Sequence, residues 1–124
     1  MTGWTADELA RIGRAPELDI ASRRPDGALR PFVTIWVVRV GNDVYVRSAY
    51  GFANPWFQRA LASGEGRVRA GGVERDVAFE VPGASIDADV SAAYHAKYDR
   101  YGPTIVGTVV SSEAARSTLR LAPH

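Results

Sequence analysis

The fold turns on Ile35-Trp36-Val37-Val38-Arg39-Val40-Gly41-Asn42-Asp43-Val44-Tyr45-Val46-Arg47-Ser48. Two runs rich in β-branched and aromatic residues flank a Gly-Asn-Asp turn, which is the pattern of a β-hairpin. The first run extends back to Leu29, so 29–40 reads as one long strand, and the return strand covers 44–50. On the return strand Val44, Val46 and Ser48 alternate with Tyr45, Arg47 and Ala49, the period of a strand with two different faces.

Working outward, Arg23-Arg24-Pro25-Asp26-Gly27 is a turn, because Pro fixes φ and Gly accepts positive φ. Before it, 17–21 alternates as a short strand. Thr5 to Gly13 is an opening helix whose Thr5 and Glu8 stand at capping-box spacing. After the hairpin, Asn54 is a helix cap and Pro55 suits the first helical position, so 56–63 is a short helix stopped by Gly64 and Gly66. A second hairpin pairs 67–70 with 73–81 around Gly71-Gly72. A longer helix spans 85–101 and ends at Gly102-Pro103. The apolar run 105–110 reads as a strand, and 118–121 as a last one. About six strands joined by short connections, with three helices, predict an α+β chain built on a small antiparallel barrel, one domain over residues 1–124.

The composition narrows the function. The 124 residues are 46% hydrophobic and 23% charged, with 15 basic and 14 acidic side chains and a net charge of +1. Nucleic-acid modules carry a larger, segregated basic excess, so no nucleic-acid partner is expected. The absence of cysteine excludes disulfides, thiol nucleophiles and thiolate zinc sites. The longest apolar stretch, 32–38, is far short of the ~20 residues that span a bilayer. The first nine residues lack a signal-peptide core, so a cytoplasmic protein is expected. Only two histidines are present, which supports no metal site. Gly64-Glu65-Gly66 leads into a strand rather than a helix, so a dinucleotide fingerprint fails. Ser111-Ser112 has no nucleophile-elbow pattern.

Aromatic and arginine residues carry more information. Tyr94, Tyr98 and Tyr101 fall on one helical stripe, which reads either as a packing face or as phenol tips that reach a ligand. Arg47-Ser48 ends a strand before a glycine-containing loop, an arrangement suited to an anion. Arg23, Arg24 and Arg30 lie near a turn that brings them close; solvated arginines are the other reading. Trp36 lies inside the long strand, where it reads as a core residue. Trp56 and Phe57 open a helix, where they either wall a planar ligand or staple the helix down.

In order, Arg23 to Arg30, the hairpin 35–48, Asn54-Pro55-Trp56-Phe57 and the hairpin 67–79 resemble the split-barrel superfamily that binds flavin or deazaflavin cofactors. It includes deazaflavin-dependent nitroreductases and pyridoxamine-phosphate-oxidase-like proteins. Over nearly its whole length the chain is still more similar to domain-of-unknown-function family 2255, through Trp4 to Leu9, 35–39, 45–48, Gly71-Gly72-Val73 and Ala93 to Tyr98. The resemblance implies a split antiparallel β-barrel with flanking short helices and a cofactor cleft at a homodimer interface. It implies phosphate contacts from Arg30, Arg47 and Ser48, with the ring of FMN or a deazaflavin near Ala49, Tyr50, Pro55 and Trp56. The expected activity is a nitroreductase-like reduction of a small organic substrate, with Tyr98 or Tyr94 orienting it or donating a proton. The alternative is a split barrel that binds a small molecule without a cofactor.

Overall fold

The computed structural model describes residues 3–49 and 51–124. Helix α1 (Ala6–Arg14) starts at Thr5, whose hydroxyl accepts from the Glu8 N–H while the Glu8 carboxylate accepts from the Thr5 N–H, so the capping box forms as expected. Seven strands follow in one sheet: β1 (Leu18–Ser22), β2 (Val33–Ile35), β3 (Val38–Val40), β4 (Asp43–Val46), β5 (Glu65–Ala70), β6 (Val73–Glu80) and β7 (Leu119–Pro123). Every pairing is antiparallel and the spatial order is β2-β1-β5-β6-β7-β4-β3. The sheet curls into a half-barrel whose two outer strands are consecutive in the chain.

That last relationship corrects the single strand expected over 29–40. The chain pairs with β1 through Ile35, crosses the seam at Trp36-Val37, and pairs with β4 from Val38. At the crossing, helix α3 (Asp87–Tyr98) supplies what a neighbouring strand would have given. The Tyr98 hydroxyl accepts from the Val37 N–H at 3.1 Å, and the Lys97 amine donates to the Val37 carbonyl at 2.7 Å. Side chains thus satisfy a buried peptide group at the split.

Helix α2 (Pro55–Ser63) begins with Pro at its first position and ends on Gly64, whose φ of 74° is the left-handed cap that glycine adopts without strain. Gly66 lets β5 approach β1, since a Cβ there would lie 2.0 Å from the Ala21 carbonyl oxygen. The run 105–110 is not a strand. It forms α4 (Pro103–Val110), followed by the single turn α5 (Ser112–Ala115). Pro103 stands at the first position after Gly102, and Val106 and Val109, three apart, are buried while Ile105 is exposed. The β-branched run suits a half-buried surface, and packing decides which kind.

Two apolar clusters fill the interior. One lies inside the barrel under α1 and α2 and contains Leu18, Val46, Phe57, Val68 and Leu121. The other lies between β3, β4 and the pair α3–α4, and contains Val38, Tyr45, Val90, Tyr94, Tyr98 and Val109. Among the described residues no helix is long and apolar enough to cross a membrane.

Candidate functional site

Between β2, the seam, α2 and α4 lies a slot of about 340 Å³. Trp36 and Trp56 contribute its aromatic walls, Val33, Ile35, Ile105 and Val109 its apolar ones, and Thr34, Asn54 and Thr108 its polar atoms. Ala49 lines it as well. Trp36 is fixed from behind by Tyr98, whose ring stacks on it at 4.0 Å and 6° from parallel. Trp56 is held edge-on against Phe57 at 5.9 Å.

A second concavity of about 680 Å³ runs along the turn 23–25 and the outer face of α2. Arg23, Arg24, Arg30 and Arg59 line it with Gln58 and Ser63, against one carboxylate, Glu65. Arg23 is braced by the Gly27 carbonyl and by Asp76, at 2.7 and 3.1 Å. A small space of about 20 Å³ lies between the two, bordered by Val33 and Trp56 in common with the slot and by Arg30 and Arg59 in common with the groove. Arg30 lines this space, and its Nε is buried with no hydrogen-bond partner among the described residues. An unpaired buried donor costs ~1–3 kcal/mol, so this atom marks a place where an acceptor is owed. Slot and groove, adjacent and together termed the channel, offer an apolar, indole-walled end for a planar group and a cationic end for an anion. Both volumes lie in the range of small-molecule sites.

Arg47 and Ser48, expected as phosphate ligands, are buried and engaged within the protein. Arg47 is 1% exposed although it borders the slot. Its Nε donates to the Thr118 hydroxyl at 2.8 Å, Nη1 to the Ser91 hydroxyl at 2.8 Å and the Val109 carbonyl at 3.0 Å, and Nη2 to the Asp87 carbonyl at 3.0 Å. The nearest carboxylate oxygen, on Asp87, is 4.0 Å away. Burial pulls its pKa down, with Tyr94 and Asp87 opposing. A guanidinium that uses four N–H donors inside the protein, one of them on the Val109 carbonyl in the last turn of α4, is a helix cap and a brace between the end of β4, α3, α4 and the start of β7. Ser48 is buried too, and its N–H donates to Ser117 Oγ at 2.8 Å.

Tyr94 and Tyr98 are likewise interior pegs rather than groups open to substrate. Tyr94 is 0% exposed and its hydroxyl accepts from the Arg47 N–H at 2.9 Å. The Tyr98 hydroxyl donates to the Pro16 carbonyl at 3.0 Å, besides accepting from Val37. Burial pushes both phenols up, Tyr98 to about 12, so both hold their protons near neutral pH. Of the remaining sequence candidates, Trp56 and Ala49 line the slot, Arg30 lines the small space between slot and groove, and Pro55 is exposed on the first turn of α2. Tyr50 lies outside the described residues. Arg59 was missed because position 59 of a surface helix looks like any solvated arginine. Its spacing of three from Trp56 is the only signal that could have found it. The sequence also gave no sign that Trp36 would reach the slot.

The family model described as an uncharacterized protein conserved in bacteria, DUF2255, matches residues 8–121. No curated protein matches the chain. Solved structures share the fold. A conserved hypothetical protein from Mycobacterium tuberculosis is 9% identical, with a TM-score of 0.67, covering 99% of this chain and 82% of that one. An F420 reductase is 12% identical, with a TM-score of 0.55 and coverage of 93% of this chain and 90% of that one. An FAD-binding protein from Mesorhizobium loti is 13% identical, with a TM-score of 0.55 and coverage of 97% and 88%.

Proposed function

We propose that this chain, which belongs to the DUF2255 family, binds a phosphate-bearing flavin or deazaflavin in the channel and serves as a reductase of a small organic molecule. The Arg30 Nε carries the reading. It is a buried donor without a partner among the described residues, on a side chain that borders both the arginine groove and the small space beside the indole-walled slot. An anionic oxygen is the acceptor that satisfies it, and a charge-assisted bond is roughly twice as strong as a neutral one. The fold shared with an F420 reductase and an FAD-binding protein supports the cofactor class.

Such a group, when bound, supplies two-electron chemistry. The chain's own residues do the rest. Arg30 and Arg59, with Arg24 beside them, hold the anionic tail in the groove. Trp36 and Trp56 hold the ring and set its plane. Ile105 and Val109 keep water from the slot, and Asn54 and Thr108 orient a polar substituent of the substrate. No carboxyl or imidazole lines the slot among the described residues, so substrate protons come from solvent at its mouth.

A second copy of the chain belongs to the same reading. The outer strands β2 and β3 present unpaired edges, and Val33, Ile105 and Tyr101 are exposed near the slot. Light scattering is expected to give a dimer, and a monomer at every concentration removes this part. For the cofactor itself, the test is the absorbance spectrum of protein purified from its native host. A flavin-type or deazaflavin-type band that survives gel filtration is expected. A colourless protein that takes up neither cofactor but binds another planar anion would make it a cofactor-free binding protein instead.

A further inference from the structure

The chain has 14 arginines and a single lysine, Lys97. That lysine is not on an open surface. It lines a cleft of about 460 Å³ between α1, β3 and α3 that shares no lining residue with the slot. The other lining residues are Leu9, Ala10 and Gly13 of the first helix, Val38, Ala93 and Ala96, and two more cations, Arg14 and Arg39. No acidic residue lines it among the described residues. Arg39 packs on the helix at Gly13, 3.5 Å from where a Cβ would stand, and its Nε donates to the Gly41 carbonyl at 2.8 Å.

The amine is placed by two contacts. Nζ donates to the Val37 carbonyl at 2.7 Å and sits 5.2 Å from the centre of the Tyr98 ring. Neither contact supplies a counter-charge. The facing titratable groups are Arg14 from α1, Arg39 from β3 and the neutral phenol of Tyr98 on its own helix. Glu17, in the segment after α1, acts on that phenol. Burial alone lowers the Lys97 pKa, to about 8, from an ordinary 10.5. About a tenth of the amine is then unprotonated at pH 7 and about half at pH 8, and that is the form that attacks a carbonyl carbon.

We propose that Lys97 is a reactive amine that condenses with a small anionic aldehyde or α-keto acid seated against Arg14 and Arg39. The Nζ lone pair adds to the carbonyl carbon, the carbonyl oxygen takes up protons and leaves as water, and a C=N bond joins ligand to lysine. No oxidant or reductant is consumed. The two arginines hold the carboxylate, and their positive field favours the anionic ligand. This site is separate from the slot and groove and stands whether or not a flavin binds there.

The wild-type full-length chain carries the test, so nothing depends on a variant's folding. The protein is incubated with glyoxylate or with acetaldehyde, each with cyanoborohydride to reduce the imine, and the adduct is located by peptide mass mapping. Glyoxylate is expected to label Lys97 about tenfold faster than acetaldehyde, with a rate that rises through a midpoint near pH 8. Replacing both surface arginines (Arg14→Gln with Arg39→Gln) is expected to abolish the preference for glyoxylate while Lys97 remains reactive. Labelling confined to the N-terminal amine overturns the proposal. So does a Lys97 midpoint above pH 10, or equal rates for the two aldehydes in the wild type.

Discussion

Arg47 donates from Nη1 to the carbonyl of Val109, 3.0 Å away, in the last turn of the helix that roofs the slot. This bond, with those to Thr118, Ser91 and Asp87, makes the guanidinium a structural brace. Arg47→Lys keeps the charge but not the planar fork, leaving several buried acceptors unpaired. It is expected to cost about 3 kcal/mol of stability, read as a lower urea midpoint. Anion affinity of the fraction that stays folded is expected to be unchanged.

The two tyrosine pegs behave alike. Tyr98→Phe leaves the Val37 N–H without its acceptor, and Tyr94→Phe does the same to the Arg47 N–H. Each change is expected to cost about 1–3 kcal/mol, by urea unfolding, while the affinity of the folded protein for FMN stays within about twofold of wild type.

Stability should depend on pH with two opposite slopes. Lys97 loses its proton near pH 8 when folded and near 10.5 when unfolded, so between these values the unfolded chain binds more protons and stability rises with pH. The Tyr98 phenol holds its proton to about 12 when folded and to about 10 when unfolded, so stability falls above pH 10. Urea midpoints are expected to climb from pH 8, peak near pH 10 and decline beyond. In Lys97→Met the climb from pH 8 to 10 is expected to vanish. A wild-type profile that is flat from 8 to 10 would contradict the burial of this amine.

The arginine groove separates binding from folding. Arg59 lies on the exposed face of α2, and Arg59→Gln is expected to change stability by no more than about 0.5 kcal/mol. Arg30→Gln removes a guanidinium whose Nε has no internal partner, so it should not destabilise. Each is expected to weaken FMN binding about 10- to 100-fold, the worth of one charge-assisted bond, measured by titration of the purified variants.

Much of the fold was legible locally. The capping box at Thr5, the Pro55 start and Gly64 stop of α2, and the Gly41 and Gly71-Gly72 turns all follow from backbone chemistry written in adjacent residues. Two elements were not. Residues 105–110 have the composition of a strand, and only Pro103 and the spacing of Val106 and Val109 signal a helix. The break at Trp36-Val37 depends on Tyr98 and Lys97, about 60 positions away, taking over a peptide group. The site divided the same way. Indole and arginine types pointed to a planar anion, and Arg30 and Trp56 fall in the channel. Arg47 and Ser48 stand at a strand end that suits an anion, but α3 and α4 close over them, which no local pattern records. Arg59 became visible only when α2 was laid beside the turn of Arg23 and Arg24.

The central claim is that one channel takes a ring between Trp36 and Trp56 and an anion at Arg30, and a paired titration tests it most directly. Tryptophan fluorescence is followed as FMN, and separately riboflavin, which has the ring without the phosphate, is added to the wild-type protein; the same is done with a deazaflavin and its dephosphorylated form. Saturable quenching by a phosphorylated cofactor is predicted, with a Kd in the micromolar range and at least about tenfold tighter than its phosphate-free counterpart, and inorganic pyrophosphate is predicted to compete. Absence of quenching by either phosphorylated cofactor at about 100 μM, or equal affinity with and without the phosphate, would contradict the account.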